Sequence, residues 1–396
     1  MSILSVGTEL KHQGVKVDIL DTKVDVDWQP QLSKLLHHKY DWIGLSVIIG
    51  QPMANAAEIQ TFIRKELRKP PPIKWGGIMT SVMPDEIKSE YGPDEVCPDQ
   101  FGKLSAIDWT LLGDRCNKQQ QPYYQMIMSS RGCPFSCTFC YKHSIGFPVV
   151  EYRSVEDVCA ELDWLYKNRG ISVFTFGDDN FLTKASRAIA IFDHCREHGY
   201  YIEECIGHIN NLTEPLIQTM AGIVQTFIFS IETVNPYLQE ILKKRVRLHE
   251  VKDKMARLAS VGIVCNVSFM IGFPGETDSD LRLNRMYMGD LREANPYIRG
   301  NCYVWLPLPK TKLSQTAGIP ILPVKDYENA NFWLRHDDPY GYHFRPHLTE
   351  ERYHELVEWG IDFNKSFERT ASPDGRSFYI LGEVLNGEKP RLGKQI

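Results

Sequence analysis

The sequence predicts an α/β protein: a partial barrel of strand–helix units, preceded by a small Rossmann-like domain and followed by a mixed helical segment. Three observations predict it. Short apolar runs alternate with helically spaced stretches, the pattern of parallel strands joined by helices. After residue 123 that alternation can be counted six times. Finally, 396 residues with 43% hydrophobic side chains exceed one comfortable core, so a large barrel with an accessory domain is expected. The patterns divide the chain into a Rossmann-like domain at 1–100, a linker at 101–122, the barrel at 123–320 and a substrate or capping segment at 321–396.

In the first domain, "KVDIL" at 16–20, "WIGLSVII" at 42–49 and "IKWGG" at 73–77 read as short strands, and "ANAAEIQTFIRKEL" has helical spacing. From about 80 to 122 the chain is rich in Pro, Gly, Gln and charge ("MPDEIKSEYGPDEVCPDQFGKL", "NKQQQP") and reads as loop. Barrel strands are expected at 125–129, 172–177, 201–207, 226–231, 264–271 and 299–305, with helices between. The first of these helices has a capping-box-like start at Ser154 and Asp157. Its apolar stripe is Val155, Val158, Cys159, Leu162 and Leu165, and Gly170 ends it. Beyond 320, "HDDPYGYHFRPHLTEERYHELVEWGIDF" reads as a loop and then an amphipathic helix.

The net charge of −5 gives no global attraction to nucleic acid or anionic lipid, so neither is an expected partner. No stretch approaches the ~20 apolar residues of a membrane span. The opening "MSILSVGTELKHQG" lacks a basic segment followed by an apolar one, so a cytoplasmic location is expected. Ten cysteines in so long a chain suggest reduced thiols, some binding metal, rather than a disulfide scaffold.

Three of those cysteines, Cys133, Cys137 and Cys140, lie together in "SSRGCPFSCTFCYKH", directly after the first barrel strand. Chemistry in such folds sits at the carboxyl ends of strands. Thiolates suit zinc, copper(I) or iron–sulfur clusters. Two readings stay open: a structural zinc closed by His143, or a four-iron cluster whose fourth iron is left for a substrate. Cys159 and Cys195 fall in helix stripes, and Cys205, Cys265 and Cys302 in or beside strands, where packing is expected. Cys97 and Cys116 sit in presumed loops as alternative ligands.

"CPFSCTFC" resembles the Cys-x3-Cys-x-aromatic-Cys signature of radical S-adenosylmethionine (SAM) enzymes, with Phe139 as the aromatic residue. "SRGCPFSCTFCY" is especially similar to the cobalamin-linked branch. The resemblance implies that Cys133, Cys137 and Cys140 bind a [4Fe-4S] cluster. Its open iron would be chelated by S-adenosyl-L-methionine, whose reductive cleavage gives methionine and a 5′-deoxyadenosyl radical. Other segments agree in order over about 123–320. "FTFGDDN" resembles an acidic stretch and points to Asp178 and Asp179. "FIFSIETVNPYLQEILKK" resembles the fourth-strand segment and points to Ser230 and Glu232. "VSFMIGFPGET" resembles the fifth-strand segment near the adenine, with Ser268 and Met270 in its first key places and Gly272 and Gly275 at its end. "YVWLPLPKTKL" resembles a proline-rich sixth-strand ending, with Lys310 where Gly is frequent. Phe139, Asp178, Asp179, Ser230, Glu232, Ser268 and Gly272 are thereby the expected SAM neighbours.

Strand geometry gives a separate argument. Side chains alternate faces, so His208 with Asn210, Ser230 with Glu232, Asn266 with Ser268, and Asn301 with Tyr303 should line one side, while Ile209, Ile231, Val267 and Val304 meet the helices. Each polar residue taken singly can equally be a buried group satisfied by backbone.

The first hundred residues resemble a cobalamin-binding domain, through "GLSVIIGQPMANAAEIQTFIRK" and "IKWGGIMTSVMPDEI", implying a corrin cradle near Ser46, Gly76 and Gly77. The domain is shortened: its usual first strand is missing, "DEVCPD" replaces an acidic-glycine segment, and no Asp-x-His-x-x-Gly motif occurs. A degenerate domain that binds no corrin is the alternative. The expected activity is cobalamin-dependent methylation of an unactivated carbon in a small-molecule or natural-product substrate, with a peptide left open and a reductant such as flavodoxin or ferredoxin. Non-methylating cyclisation, rearrangement or oxidation is the runner-up. A non-catalytic zinc- or cluster-stabilised binding protein is the alternative of another class. A transfer-RNA methylthiotransferase would need further N-terminal cluster cysteines and an RNA-binding domain, and neither is visible. No individual catalytic side chain is identified; Tyr303, Trp305, Trp333 and Tyr342 read equally as substrate contacts or core aromatics.

Overall fold

A computed structural model describes residues 2–22, 27–98, 104–117, 124–143, 145, 149–330 and 341–368. The chain divides into two compact units: Met1–Gln120 with Leu308–Lys310 and Gly318–Asn331, and Gln121–Pro307 with Thr311–Ala317 and Phe332–Ile396. Relative to the expected boundaries, residues 101–120 stay with the first unit, and two stretches near 310 and 325 return to it.

The first unit contains α1 (Ser2–His12), α2 (Trp28–Leu35), β1 (Ile43–Ser46), α3 (Gln51–Glu66), β2 (Ile73–Gly76), α4 (Ile78–Val82), α5 (Pro84–Tyr91) and β3 (Glu95–Cys97). Its strands form a parallel sheet in the order β1-β2-β3, with the long helix α3 as the crossover from β1 to β2. Two expectations are corrected. Residues 16–20 join no sheet among the described residues; Ile19 is instead buried beside α1, where a Cβ on Gly7 would come within 2.9 Å of its side chain. The stretch from 80 contains two helices and β3, so Cys97 is a strand residue, not a loop ligand. Its Pro, Gly and charge mark element boundaries and a solvent-facing helix, and a three-residue strand is too short to show a period.

At Gly77 the chain leaves β2 with φ at +109°, and a Cβ there would lie 2.6 Å from the Val47 carbonyl oxygen. The Val47 N–H donates to Gly76 O at 2.7 Å, so the ends of β1 and β2 close together only without a side chain at 77.

The second unit contains β4 (Gln125–Ile127), β5 (Ser130–Arg131), β6 (Glu151–Tyr152), α6 (Val155–Arg169), β7 (Val173–Phe176), α7 (Ala185–His198), β8 (Tyr201–Ile206), α8 (Glu214–Met220), β9 (Val224–Glu232), α9 (Pro236–Leu242), α10 (Leu248–Ser260), β10 (Val264–Ile271), α11 (Asp278–Ala294), β11 (Ile298–Val304), α12 (Lys312–Thr316) and α13 (Glu350–Ser366). All six expected strands are present in one parallel sheet, ordered β11-β10-β9-β8-β7-β4. The two outer strands do not pair with each other among the described residues, which makes the barrel partial. Helix α6 starts as its sequence indicates: the Ser154 hydroxyl accepts from Asp157 N–H at 3.1 Å, and Gly170 closes it in the left-handed conformation.

Phe227, Phe229, Ile231, Cys265 and Val267 are fully buried on the helix-covered face. The other face carries Ser230, Ser268 and Asn301 in one cross-strand row, and Ile206, Ile228, Asn266 and Arg299 in the row below. The free edge of β11 is closed from the C-terminal segment. Asn364 of α13 accepts from Cys302 N–H at 2.6 Å and donates to Cys302 O at 3.2 Å, and Gly300 N–H donates to Phe367 O at 3.1 Å. Cys159, Cys195, Cys205, Cys265 and Cys302 are all buried, as their packing roles require. No helix among the described residues is long and apolar enough to cross a membrane.

Gly77→Ala should lower the stability of the first unit by about 2 kcal/mol or more, read as a shift in its urea midpoint, whereas Gly76→Ala, whose Cβ would meet its nearest atom only at 3.8 Å, should change it much less.

Candidate active site

The cysteine loop hangs from a buried carboxylate. After β4 the chain passes Ser129 and enters the two-stranded ribbon of β5 and β6. Asp178, just past β7, accepts from Ser129 N–H at 2.7 Å, from the Ser129 hydroxyl at 2.6 Å and from the Ser130 hydroxyl at 2.5 Å. Arg187 of α7 donates to the Ser129 hydroxyl at 3.2 Å, to Ser129 O at 2.7 Å and to Arg153 O at 3.0 Å. Asp178 is 1% exposed. Burial pushes its carboxyl up, and the serine donors and Arg187 pull it down. It was expected beside SAM; its oxygens are instead taken by the two serines, so it anchors the loop from beneath.

Its neighbour Asp179 brackets the loop. One oxygen accepts from Gly132 N–H at 2.8 Å, just before Cys133, and the other pairs with Lys142, just after Cys140. Inside the loop, Cys140 N–H donates to Cys137 O at 3.1 Å. Thr138 donates to Leu242 O (2.9 Å) and Ile241 O (3.0 Å), and its carbonyl accepts from Leu313 of α12 at 2.8 Å. Cys133, Cys137 and Cys140 are free thiols, half-buried. Burial pushes Cys137 up to about 11, against the pull of Lys244, and pushes Cys140 up against Lys142. Thiolates held here need a cation beside them, which a metal cluster supplies. The His143 side chain, the alternative zinc ligand, lies outside the described residues, as do Trp333 and the Cys116 side chain.

Strands β9 and β10 bring the next group together. Glu232 adopts φ +69°, in the left-handed region, where the register between β9 and β10 shifts by a residue. Strict alternation therefore fails between Ser230 and Glu232, and Lys244 reunites them: its Nζ donates to Ser230 Oγ at 2.6 Å and lies 3.5 Å from a Glu232 oxygen. Ser268 stands beside Ser230 in register, and Asn266 accepts from Asn301 on β11. His208 and Asn210 do not line this face. They lie at a short 3-10 turn, where Asn210 N–H donates to His208 Nδ1 at 3.2 Å, which leaves Nε2–H to donate to Lys244 O at 3.2 Å. Burial, and then Lys244, push His208 down to about 4, so the ring is neutral. Phe135 of the cysteine loop stacks on it, with centroids 3.9 Å apart and planes at 13°.

At the end of β10, Gly272 has φ +83°; its N–H donates to Glu276 at 2.5 Å and its carbonyl accepts from His347 at 2.8 Å. The second Glu276 oxygen, His347 Nδ1 and Trp305 Nε1 are buried without a hydrogen-bond partner among the described residues. Burial pushes Glu276 up to about 8. Phe139 reaches toward this corner, 6.5 Å from Phe273. On the same uncovered sheet face, Met126 and Ile206 are 39% and 37% exposed. In the other unit, Ser46 and Gly76 are paired across the carboxyl ends of β1 and β2, with Gly77 next in chain and Ile48 exposed.

The profile of the Radical SAM superfamily matches residues 127–284, which hold every residue of this site except Met126, Asn301, Trp305, Leu313 and His347. Over these residues the chain is similar to the radical SAM superfamily. It is 31% identical over 160 residues to the "Uncharacterized methyltransferase PH0819" of Pyrococcus horikoshii, covering 40% of this chain and 35% of that one. It is also 31% identical over 152 residues to the cytidylyl-2-hydroxyethylphosphonate methyltransferase of Streptomyces wedmorensis, covering 37% and 28%. The chain thus spans about a third of the length of these curated relatives. The cobalamin-dependent S-adenosylmethionine radical enzyme OxsB, solved with aqua-cobalamin and S-adenosylmethionine bound, superposes with a TM-score of 0.69 at 17% identity. That match covers 97% of this chain and 68% of OxsB, a likeness of fold.

Among the residues of this site, sequence patterns alone did not point to Ser129, Arg187, Lys244, Glu276 and His347. Glu276 directly follows the quoted Gly275, and its spacing from Gly272 is a usable signal; Lys244 sits in "KKRVR" and reads as a solvated charge run.

Two outcomes are expected. Asp178→Ala leaves two hydroxyls, an N–H and Arg187 facing a void, and should lower stability by about 3–5 kcal/mol in denaturant titrations and lose iron on reconstitution. Glu276 has a folded value raised from 4.5 to about 8, so the folded state holds the extra proton between them and stability falls as pH rises through that window. Glu276→Gln, which can still accept from Gly272, should flatten that fall in Tm measured from pH 5 to 8.

Proposed function

We propose that the chain is a radical SAM enzyme that methylates an unactivated carbon of a small-molecule or natural-product substrate with the help of cobalamin. The observation that carries the reading is the cysteine loop following the first strand of the parallel sheet, bracketed by Asp179 and with Cys137 in the field of Lys244, which holds Ser230. In this reading Cys133, Cys137 and Cys140 hold a [4Fe-4S] cluster, and Phe139, Ser230, Glu232, Ser268 and Gly272 surround SAM. When bound, the cluster and SAM supply a primary carbon radical able to take hydrogen from an unactivated C–H bond, and methylcobalamin supplies the methyl group.

The protein's share is orientation and exclusion of water. Lys244 balances the Glu232 carboxylate and fixes the Ser230 hydroxyl, so both are set before a ligand arrives. Neutral His208 braces the cysteine loop through Phe135. The orphaned polar atoms of Glu276, His347 and Trp305 around Gly272 suit a ligand with donors and acceptors of its own, such as an adenine. Met126 and Ile206 offer apolar contact for a substrate. A flavodoxin or ferredoxin is the class of reductant this chemistry requires.

For cobalamin, Ser46, Gly76 and Gly77 lie at the carboxyl edge of a parallel sheet, where such folds take ligands, and exposed Ile48 offers apolar surface there. Against this, Gly77 is already required by its contact with Val47. The three-stranded first unit favours a second reading, a radical rearrangement or oxidation without methyl transfer.

Reconstituted anaerobically, the protein should be brown and should release 5′-deoxyadenosine with a reductant; Cys137→Ala should lose both properties. With methyl-deuterated SAM, mass spectrometry should find the label in product only when cobalamin is present. 5′-Deoxyadenosine without labelled product selects the second reading, and a colourless zinc protein sinks both. Lys244→Gln should keep its iron but weaken SAM binding about tenfold in equilibrium titrations.

A further inference from the structure

On the outer helical layer of the barrel unit, away from the cysteine loop in sequence and in element, a second set of metal-binding side chains converges. Asp163 lies in the last two turns of α6, and His194 and His198 lie one turn apart on α7, where an i,i+4 pair shares a face. One donor atom from each of the three lies within 4.8 Å of the others. His194 Nε2 is 2.9 Å from an Asp163 oxygen, and the two imidazoles stack with centroids 4.0 Å apart and planes at 27°.

Two further contacts prepare the donors. His198 Nδ1–H donates to His194 O at 2.9 Å, which leaves its Nε2 with a lone pair for a metal. The Tyr200 hydroxyl, on a residue only 3% exposed, donates to the same Asp163 oxygen at 2.8 Å and so holds the carboxylate in place from the buried side. His198 is exposed and Asp163 half-exposed, so an ion can enter from solvent and keep water in its remaining positions.

We propose that Asp163, His194 and His198 bind one divalent transition-metal ion, zinc for preference, which joins α6 to α7. Two imidazoles and a carboxylate are the donor chemistry of zinc sites that keep an open position, and they are harder than the three thiols of the cysteine loop. Binding replaces the His194 Nε2–H···Asp163 hydrogen bond with two metal bonds, and the ring proton moves to Nδ1 by exchange with solvent, so that His194 binds as a neutral imidazole through Nε2. The site is independent of the proposed radical chemistry.

The test uses the cluster-loaded protein, dialysed to equilibrium against buffered zinc, with zinc and iron counted on the same samples. One zinc per chain is expected at micromolar free zinc, an increase in Tm with zinc, and about a tenfold loss of zinc affinity in both His198→Gln and Asp163→Asn at unchanged iron content. His198 is exposed, so His198→Gln should fold, and its Tm should respond to zinc only at about tenfold higher concentration. Equal zinc binding by the wild type and His198→Gln, or no zinc retained at micromolar concentration, overturns the proposal. A failed radical assay would leave this readout untouched, because zinc occupancy and Tm are measured without turnover.

Discussion

The geometry of the site rests on one carboxylate that never meets solvent. Asp178 gathers a backbone N–H and two hydroxyls from the residues that connect β4 to the cysteine loop, beside Arg187 from α7. A buried charge is tolerable only when its acceptor capacity is filled, so this arrangement has little freedom to relax. The consequence is mechanical: the loop that carries the cysteines leaves its strand in one direction. Asp179, the next residue, then ties the loop at both ends. Adjacent carboxylates thus do different work, one setting where the loop begins and the other its span.

A second layer of fixing comes from the segment after α9. Lys244 reaches Ser230 and Glu232 with its ammonium group, while its carbonyl accepts from His208. One residue therefore couples the end of β9, the turn after β8 and, through Phe135, the cysteine loop. The left-handed backbone at Glu232 fits this picture. A glutamate in that conformation is strained, and such strain persists where surrounding contacts over-determine it.

The parallel sheet was legible because short apolar runs alternate with helically spaced stretches, the first of them clearly capped at Ser154 and Gly170. The cysteine spacing was legible for a different reason, since three thiols in eight residues have few structural uses. What the sequence hid was of two kinds. Elements too short to show a period, such as Glu95–Cys97, cannot be told from loops, and an apolar run such as 16–20 can serve a helix contact as well as a sheet. Long-range polar partners were hidden too: Asp178 looks like any acidic strand end until Ser129 and Arg187 are folded against it. Strict alternation misled at Glu232 and at His208, where a register shift and a turn redirect the side chains.

The closing of β11 by Asn364 and Phe367 has a consequence for how the chain is made. Its last strand is synthesised some sixty residues before the side chain that satisfies its backbone, so during translation that strand waits with open amides and carbonyls. A nascent chain stalled in this interval presents a template onto which another strand can dock. The helix at Glu350–Ser366 thereby acts as a latch on the growing polypeptide, engaging only after the strand it closes has been made.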